Sequence, residues 1–336
     1  MKTLLCAVSG LLFAGVANIL AAAPIRVLII DGQSNHNWQL TTPVLRKVLD
    51  ETGLFDTEVL SSPRKGADFS GFKPEFSKYQ VVVMNYNNDG QKLEWPPETM
   101  QAFEQFVRNG GGMVSVHSAN NSFPTWVAYN EMIGVGGWGS RDEKSGPLWY
   151  YKDGKLVSDT SPGPGGSHVN RVPFLVTLQN TEHPITKGLP KQWMHQGDEL
   201  YNSLRGPGQN MTVLGTAHSD PVPGRGTDRD EPDLMVLSFG KGRVFHTTLG
   251  HDVSAMSCVG FVTIFQRGVE WAATGKVTQT VPANFPTAAS VSYRADIASM
   301  DPAFLGAGAP AGGGRGASGV MRINIPMQLP VTPAKP

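Results

Sequence analysis

The sequence predicts an α/β protein built on a doubly wound, mostly parallel sheet in one enlarged domain. Three observations carry this. Short apolar runs alternate with amphipathic stretches from Ile25 to His117, the rhythm of βαβ units. The apolar runs end on polar or turn residues, as buried parallel strands do. The chain has 336 residues and is 40% hydrophobic, enough for one sizeable core.

The N-terminus reads as an export signal over residues 1–22. Lys2 supplies the positive start, Leu4 to Leu20 the apolar stretch, and Ala21-Ala22-Ala23 the small-residue exit. Pro24 would be a poor first mature residue, so cleavage after Ala22 is expected at least as much as cleavage after Ala23. The stretch is short for a membrane-spanning helix, so no stable membrane insertion is expected once the signal is cut, and the mature protein would be periplasmic or secreted. Only Cys258 then remains, so no internal disulfide is expected. It lies in an apolar run and reads as a small core residue.

The body is expected over residues 23–275. Ile25 to Ile30 is a buried-strand signal that stops at Asp31-Gly32. Thr41 or Thr42 can cap a helix with Pro43 at its first position, running to Gly53. Asp56 to Leu60 and Tyr79 to Asn85 are the next strands. Pro96-Pro97-Glu98 opens a helix that Gly110 closes, and Met113 to His117 is the fourth strand. Pro124 to Ile133 reads as a helix. Gly134 to His168 is rich in Gly, Pro and aromatic residues, which suits either a lid over a site or an exposed β-excursion. Strand signals resume at Val172–Leu178, Thr212–Thr216, Asp233–Phe239 and Gly242–Leu249, with Gly240-Lys241-Gly242 as a hairpin turn. Val259 to Ala273 is a last helix, ended by Gly275. Residues 276–336, with a Gly/Ala run and a proline-rich end, read as a flexible tail.

Lys+Arg and Asp+Glu are both 28. Zero net charge argues against a nucleic-acid partner, which needs a basic footprint, and leaves a small neutral sugar open. No G-x-S-x-G and no phosphate-binding loop is present.

All eight histidines lie in the body, several at strand ends. His36 follows the first strand, His117 ends the fourth, and His251 follows the last. Ligands in open parallel sheets bind beyond the carboxyl ends of strands, so these residues are delivered to one rim. Histidines and a carboxylate meeting there can hold a divalent metal or act as acid and base. The alternative for each is a capping or core histidine. His36, His117 and His251 are the candidate metal ligands; no compact metal motif such as H-E-x-x-H accompanies them, so the chain is read as binding either one divalent ion or no cofactor.

Five segments carry a family resemblance: Asp31 to Trp38, Gly111 to Ala119, His183-Pro184-Ile185-Thr186-Lys187-Gly188, Asp198-Glu199-Leu200-Tyr201, and Gly242 to Asp252. Their order, with Arg267 to Ala273 after them, resembles the ThuA-like (trehalose utilisation) family, and the match covers roughly Ile25 to Gly275. The resemblance implies a flavodoxin-like sheet related to class I glutamine amidotransferases, and a role in carbohydrate catabolism. Those amidotransferases carry a cysteine nucleophile at the turn after the corresponding strand. This chain has His117-Ser118-Ala119 there, which argues against amidotransferase activity.

The expected function is an exported enzyme acting on oxidised sugars such as 3-keto-glycosides. His117, Asp198, Glu199 and His251 are the candidate catalytic residues, with His117 or Glu199 as base and His251 as electrophilic partner. Asp31, Gln33, His36, Trp38, Asn120, Trp138, Tyr201 and Asp252 are the candidate substrate contacts. The alternative is a non-catalytic sugar-binding module using Trp38, Trp126, Trp138 and Trp149, with ordinary packing favoured for Trp126. A third reading, a serine hydrolase built from Ser118, His251 and Asp252, lacks the glycine-flanked nucleophile turn.

Overall fold

A computed structural model describes residues 23–88, 95–221 and 225–303. The expected export signal and residues 304–336 of the expected tail lie outside them. Among the described residues, no helix is long and apolar enough to cross a membrane.

The first half is doubly wound. β1 (Ile25–Asp31), β2 (Phe55–Ser61), β3 (Val81–Met84) and β4 (Gly112–Val116) are parallel. Their side chains alternate between two cores. Val27, Ile29, Val81 and Val83 pack on α1 (Trp38–Asp50) and on the long helix Val259–Thr274. Leu28, Ile30, Val82 and Met84 face the opposite way, onto α2 (Pro97–Arg108) and α3 (Val127–Ile133). A strand buried on both faces must be apolar at every position, and β3 is Val-Val-Val-Met. α1 starts one turn before the expected Thr41 or Thr42, so Pro43 sits inside it. α3 is shorter than expected because Pro124 and Thr125 remain in the turn that leads to it.

The stretch from Gly134 to His168 is a folded excursion. β5 (Leu148–Lys152) and β6 (Lys155–Asp159) form a hairpin. Beyond it, β7 (Ser167–His168) pairs with β10 (Tyr201–Asn202), and β8 (Val172–Leu178) with β9 (Gln192–Asp198). β11 (Met211–Ser219), β12 (Arg229–Phe239) and β13 (Gly242–Thr247) complete the set. Phe239 pairs with Gly242 across Gly240-Lys241, the expected two-residue hairpin, with Gly240 at φ 60°. The main sheet runs β2-β1-β3-β4-β13-β12-β11-β8-β9. It is parallel through β13, which lies beside β4, and antiparallel from there on.

The antiparallel part curls back. α4 (Val253–Met256) and α5 (Val259–Thr274) both contact β9, the far end of the sheet order. Gly260 in α5 makes the approach possible, since a Cβ there would stand 2.4 Å from the Trp193 ring. Gly275 ends α5 in the left-handed region at φ 76°, as the sequence predicts.

The expected tail boundary needs correction. Residues 276–303 pack on the body. Ile297, in α6 (Ala295–Ala298), is fully buried, and Phe285 lies against Trp193 at 5.6 Å. The Val259 amide donates to the Ser292 carbonyl, the Met194 amide donates to the Thr287 carbonyl, and Arg294 pairs with Glu51. A segment rich in Pro and Thr looks like linker by composition, yet its few apolar residues suffice to seat it.

Candidate functional site

The carboxyl ends of β1, β3, β4, β13 and β9 share one rim, and each delivers a polar side chain to it. His117 stands directly after β4. Its backbone is left-handed at φ 46°, an unfavourable conformation for a side chain with a Cβ, which the buried turn His117–Asn121 maintains. The His117 Nδ1 lies 2.6 Å from the Thr248 carbonyl, just beyond β13, and donates to it. That bond fixes the tautomer and turns Nε2 toward Glu199.

Glu199 is the hub. Its carboxylate oxygens lie 3.7 Å from His36 Nε2, 3.7 Å from His117 Nε2, 3.3 Å from His251 Nε2 and 3.9 Å from His168 Nε2. The His36, His117 and His251 rings also stand edge to face, with centroids 4.7–5.5 Å apart. Burial would raise the Glu199 pKa, but contacts with His117, His251 and His36 hold it well below the usual carboxylate range. Burial lowers His36 to about 4. Burial also acts to lower His251, but Asp252 and Glu199 outweigh it and raise that ring to about 9.

A cavity of about 180 Å³ opens on this cluster. His36, Glu199 and Tyr201 close its inner end, and Asn87 and Asn121 form walls. Trp138 and His168 stand at its mouth, so the two ends of the Gly134–His168 excursion frame the site. Its middle, the β5–β6 hairpin, is tied to β12 through Tyr151 and Asp230.

The donor set suits a divalent cation. The ligand atoms of His36, His117 and Glu199 lie within 4.8 Å of one another. His117 Nε2 is buried and has no hydrogen-bond partner. Two acceptors, an imidazole nitrogen and a carboxylate oxygen, facing each other at 3.7 Å call for a proton or a cation between them.

The structure separates the sequence candidates. His36, His117, Glu199 and His251 converge, with Tyr201 and Trp138 beside them. Asp198 does not reach the cavity. It is fully buried, with Oδ2 2.9 Å from His195 Nε2, and it accepts the backbone amides of Glu199, Gly250 and His251. Burial opposes ionisation, but bonds to His195 keep its pKa low, and it anchors the two turns that carry Glu199 and His251. Asp31 accepts from the Ser61 hydroxyl at 2.6 Å, and Gln33 donates to the Pro63 carbonyl. Asn120 is buried against His246, and it is Asn121 that lines the cavity. Trp38 opens α1 away from the cavity lining. Asp252 caps α4, pairs with Arg171 and touches His251 from behind. These are corrections to the expected substrate contacts.

Ser118 Oγ faces Ser34 Oγ at 3.4 Å, so no Ser-His-Asp relay forms. Trp126 is in the core as expected, with its Nε1 donating to Glu104, and Trp149 Nε1 donates to the Gly206 carbonyl. The residues sequence reasoning missed are Asn35, Asn87, Asn121 and His168. His168 sits beside Tyr201 through the β7–β10 pair, a contact between strands 33 positions apart in sequence. Cys258 is buried at the start of α5, beside His195.

The family model for ThuA, described as trehalose utilisation, matches residues 26–272. A crystal structure of a ThuA-like protein from Parabacteroides merdae is 48% identical, with a TM-score of 0.78 over 82% of this chain and 99% of that one. A ThuA-like protein from Bacteroides uniformis is 22% identical with a TM-score of 0.50, covering 79% of this chain and 97% of its own, and shares the fold. No curated protein matches the chain.

Proposed function

The chain belongs to the ThuA family, trehalose utilisation, and from that premise we propose that it is an exported enzyme that processes oxidised, 3-keto sugars or their glycosides by acid–base chemistry on the Glu199 rim. The convergence of four imidazoles on one carboxylate at the floor of a small polar cavity is the observation that carries this reading. A structural ion pair needs one histidine, whereas a reacting centre needs several proton carriers at different settings.

His36, His117 and Glu199 would hold a divalent cation. When bound, it would polarise a substrate carbonyl and favour the enolate. The chain's own residues supply the rest. A ketone acidifies the neighbouring C–H. His168 faces the cavity with Nδ1 donating to the Val169 carbonyl, so Nε2 is free to accept that proton. The electron pair moves to the carbonyl oxygen. Its return expels the oxygen of the adjacent glycosidic bond, which leaves with the proton that His168 had taken up. His251, protonated at neutral pH, stands behind Glu199 and balances its charge.

The test is incubation of purified protein, as isolated and after chelation, with trehalose and its 3-keto derivative. Products are followed by NMR and bound metal by elemental analysis. We expect about one divalent ion per chain, consumption of the keto sugar, and loss of turnover on chelation. His117→Ala should lose both ion and turnover while melting within a few degrees of the parent. Turnover that survives chelation would remove the metal from the scheme, and failure to consume either sugar would remove the enzyme. Fractionation of producing cells should place the protein outside the cytoplasm; a cytoplasmic product would end the export reading.

A further inference from the structure

The cavity over Glu199 is small and blind. At about 180 Å³ it equals roughly six water volumes, below the range of roughly 300–1,000 Å³ for drug-sized ligands. That accommodates roughly one six-membered ring and not two. Its inner end is closed, since Tyr201 is 1% exposed, Asn87 1% and Asn121 5%. Asn35 is exposed and Trp138, Gly139 and His168 are half-buried at the mouth, while His36 and Glu199 are half-buried on the floor.

The lining is amide and aromatic. Asn87 Nδ2 donates to Asn35 Oδ1 at 2.7 Å, which fixes both amides. Asn121 Oδ1 is buried with no hydrogen-bond partner. The Asn121 side chain lines the cavity, where its amide can meet a ring hydroxyl. Trp138 is held with its backbone left-handed at φ 53° and its ring edge-on to Tyr201 at 4.7 Å. Arg141, buried, ties both parts together, with Nη1 donating to the Asn121 carbonyl at 3.1 Å and to the Gly137 carbonyl at 2.9 Å. The hydroxyl reader and the aromatic platform are therefore one preorganised unit. Glu199 is the only carboxylate in the lining, which holds no Lys or Arg, so no ammonium or guanidinium there would pair with a phosphorylated or acidic sugar.

Resting on the carbohydrate reading above, we propose that the site admits a single terminal pyranose ring of a neutral glycoside, end-on. Asn121 accepts from a ring hydroxyl, Trp138 covers a ring face, and the remainder of the glycoside stays outside the mouth. The protein is then exo-acting and indifferent to chain length.

The experiment is a titration of purified protein, followed by tryptophan fluorescence and calorimetry. The probes are methyl α-glucopyranoside, trehalose and maltotriose, each as such and oxidised at C3 of the non-reducing ring, and α-cyclodextrin, which has no chain end. The three linear probes should bind within about threefold of one another in at least one oxidation state, and α-cyclodextrin should not bind. Asn121→Ala should weaken all three by roughly tenfold, the loss of one hydrogen bond. Trp138→Ala should weaken them to a similar degree. Affinity that climbs tenfold or more from one ring to three, or binding of α-cyclodextrin, would overturn the terminal-ring inference and leave the carbohydrate reading standing. Binding of none of the probes would overturn both.

Discussion

His117 and His246 show how one residue type divides between chemistry and packing within a single strand–turn neighbourhood. Both are buried, and both use Nδ1 to donate to a backbone carbonyl, of Thr248 and Ile133 respectively. The difference lies at Nε2. For His117 that atom looks at a carboxylate without a bond, and for His246 it accepts from the Asn120 amide at 3.1 Å. Burial lowers His246 to about 4, against about 6.5 in an unfolded chain. The unfolded state therefore takes up a proton between pH 6.5 and 4 that the folded state refuses, and stability falls as pH falls through that window. Full loss would amount to about 3 kcal/mol. His246→Gln removes this titration, so the stability gap between parent and variant should narrow by about 2 kcal/mol from pH 7 to pH 4.5 in urea unfolding. A gap constant with pH would show that His246 does not titrate as its burial demands. The sequence could not separate the two histidines, because each follows an apolar strand residue and only the facing element decides.

At the scale of elements, the strands of the parallel half were legible because burial on both faces forces an unbroken apolar run. Their carboxyl ends then predicted His36, His117 and His251. The pair Asp198-Glu199 was legible as a pair only. Which of the two enters the cavity depends on where β9 stops and on Asp198 turning inward to His195, a long-range outcome. Asn120 against Asn121 was lost for the same reason, since a single tight turn rotates neighbours to opposite sides. Composition misled outright in residues 276–303, where Pro and Thr concealed Phe285 and Ile297. A chain ending at Gly275 gives up that packing and the Arg294–Glu51 pair. Removing Ile297 alone is worth about 2–5 kcal/mol. The Gly275 chain should therefore melt about 10 °C or more below a chain ending at Ala303. Equal melting temperatures, by calorimetry, would restore the boundary at residue 275.

The whole molecule assembles its site from two halves that the chain order keeps apart. His36 and His117 come from the parallel half, while Glu199 directly follows β9, at the far edge of the sheet order. The hub carboxylate meets its histidines only because the antiparallel half curls until β9 rests on α5. Trp193 packs on Gly260 in that contact, and Asp198 accepts from the Gly250 and His251 amides across it. Gly260→Ala pushes a methyl into a ring that is itself fully buried and flanked by His195 and Phe285. Overpacking of this kind costs about 1–3 kcal/mol, partly offset by about 1 kcal/mol from better helix propensity. The fold should survive with a modestly lower melting temperature. The site should suffer more, because a shift at Trp193 is carried along β9 to Glu199, and separation by 1 Å is enough to spoil a reacting geometry. Ile297→Ala is the matched control, since it removes more stability at a place that carries no site residue. Turnover per folded molecule, or retention of bound metal, should drop in Gly260→Ala and hold in Ile297→Ala. If both variants lose function only in proportion to stability, the two halves are joined by ordinary packing and the curl does not set the geometry of the Glu199 cluster.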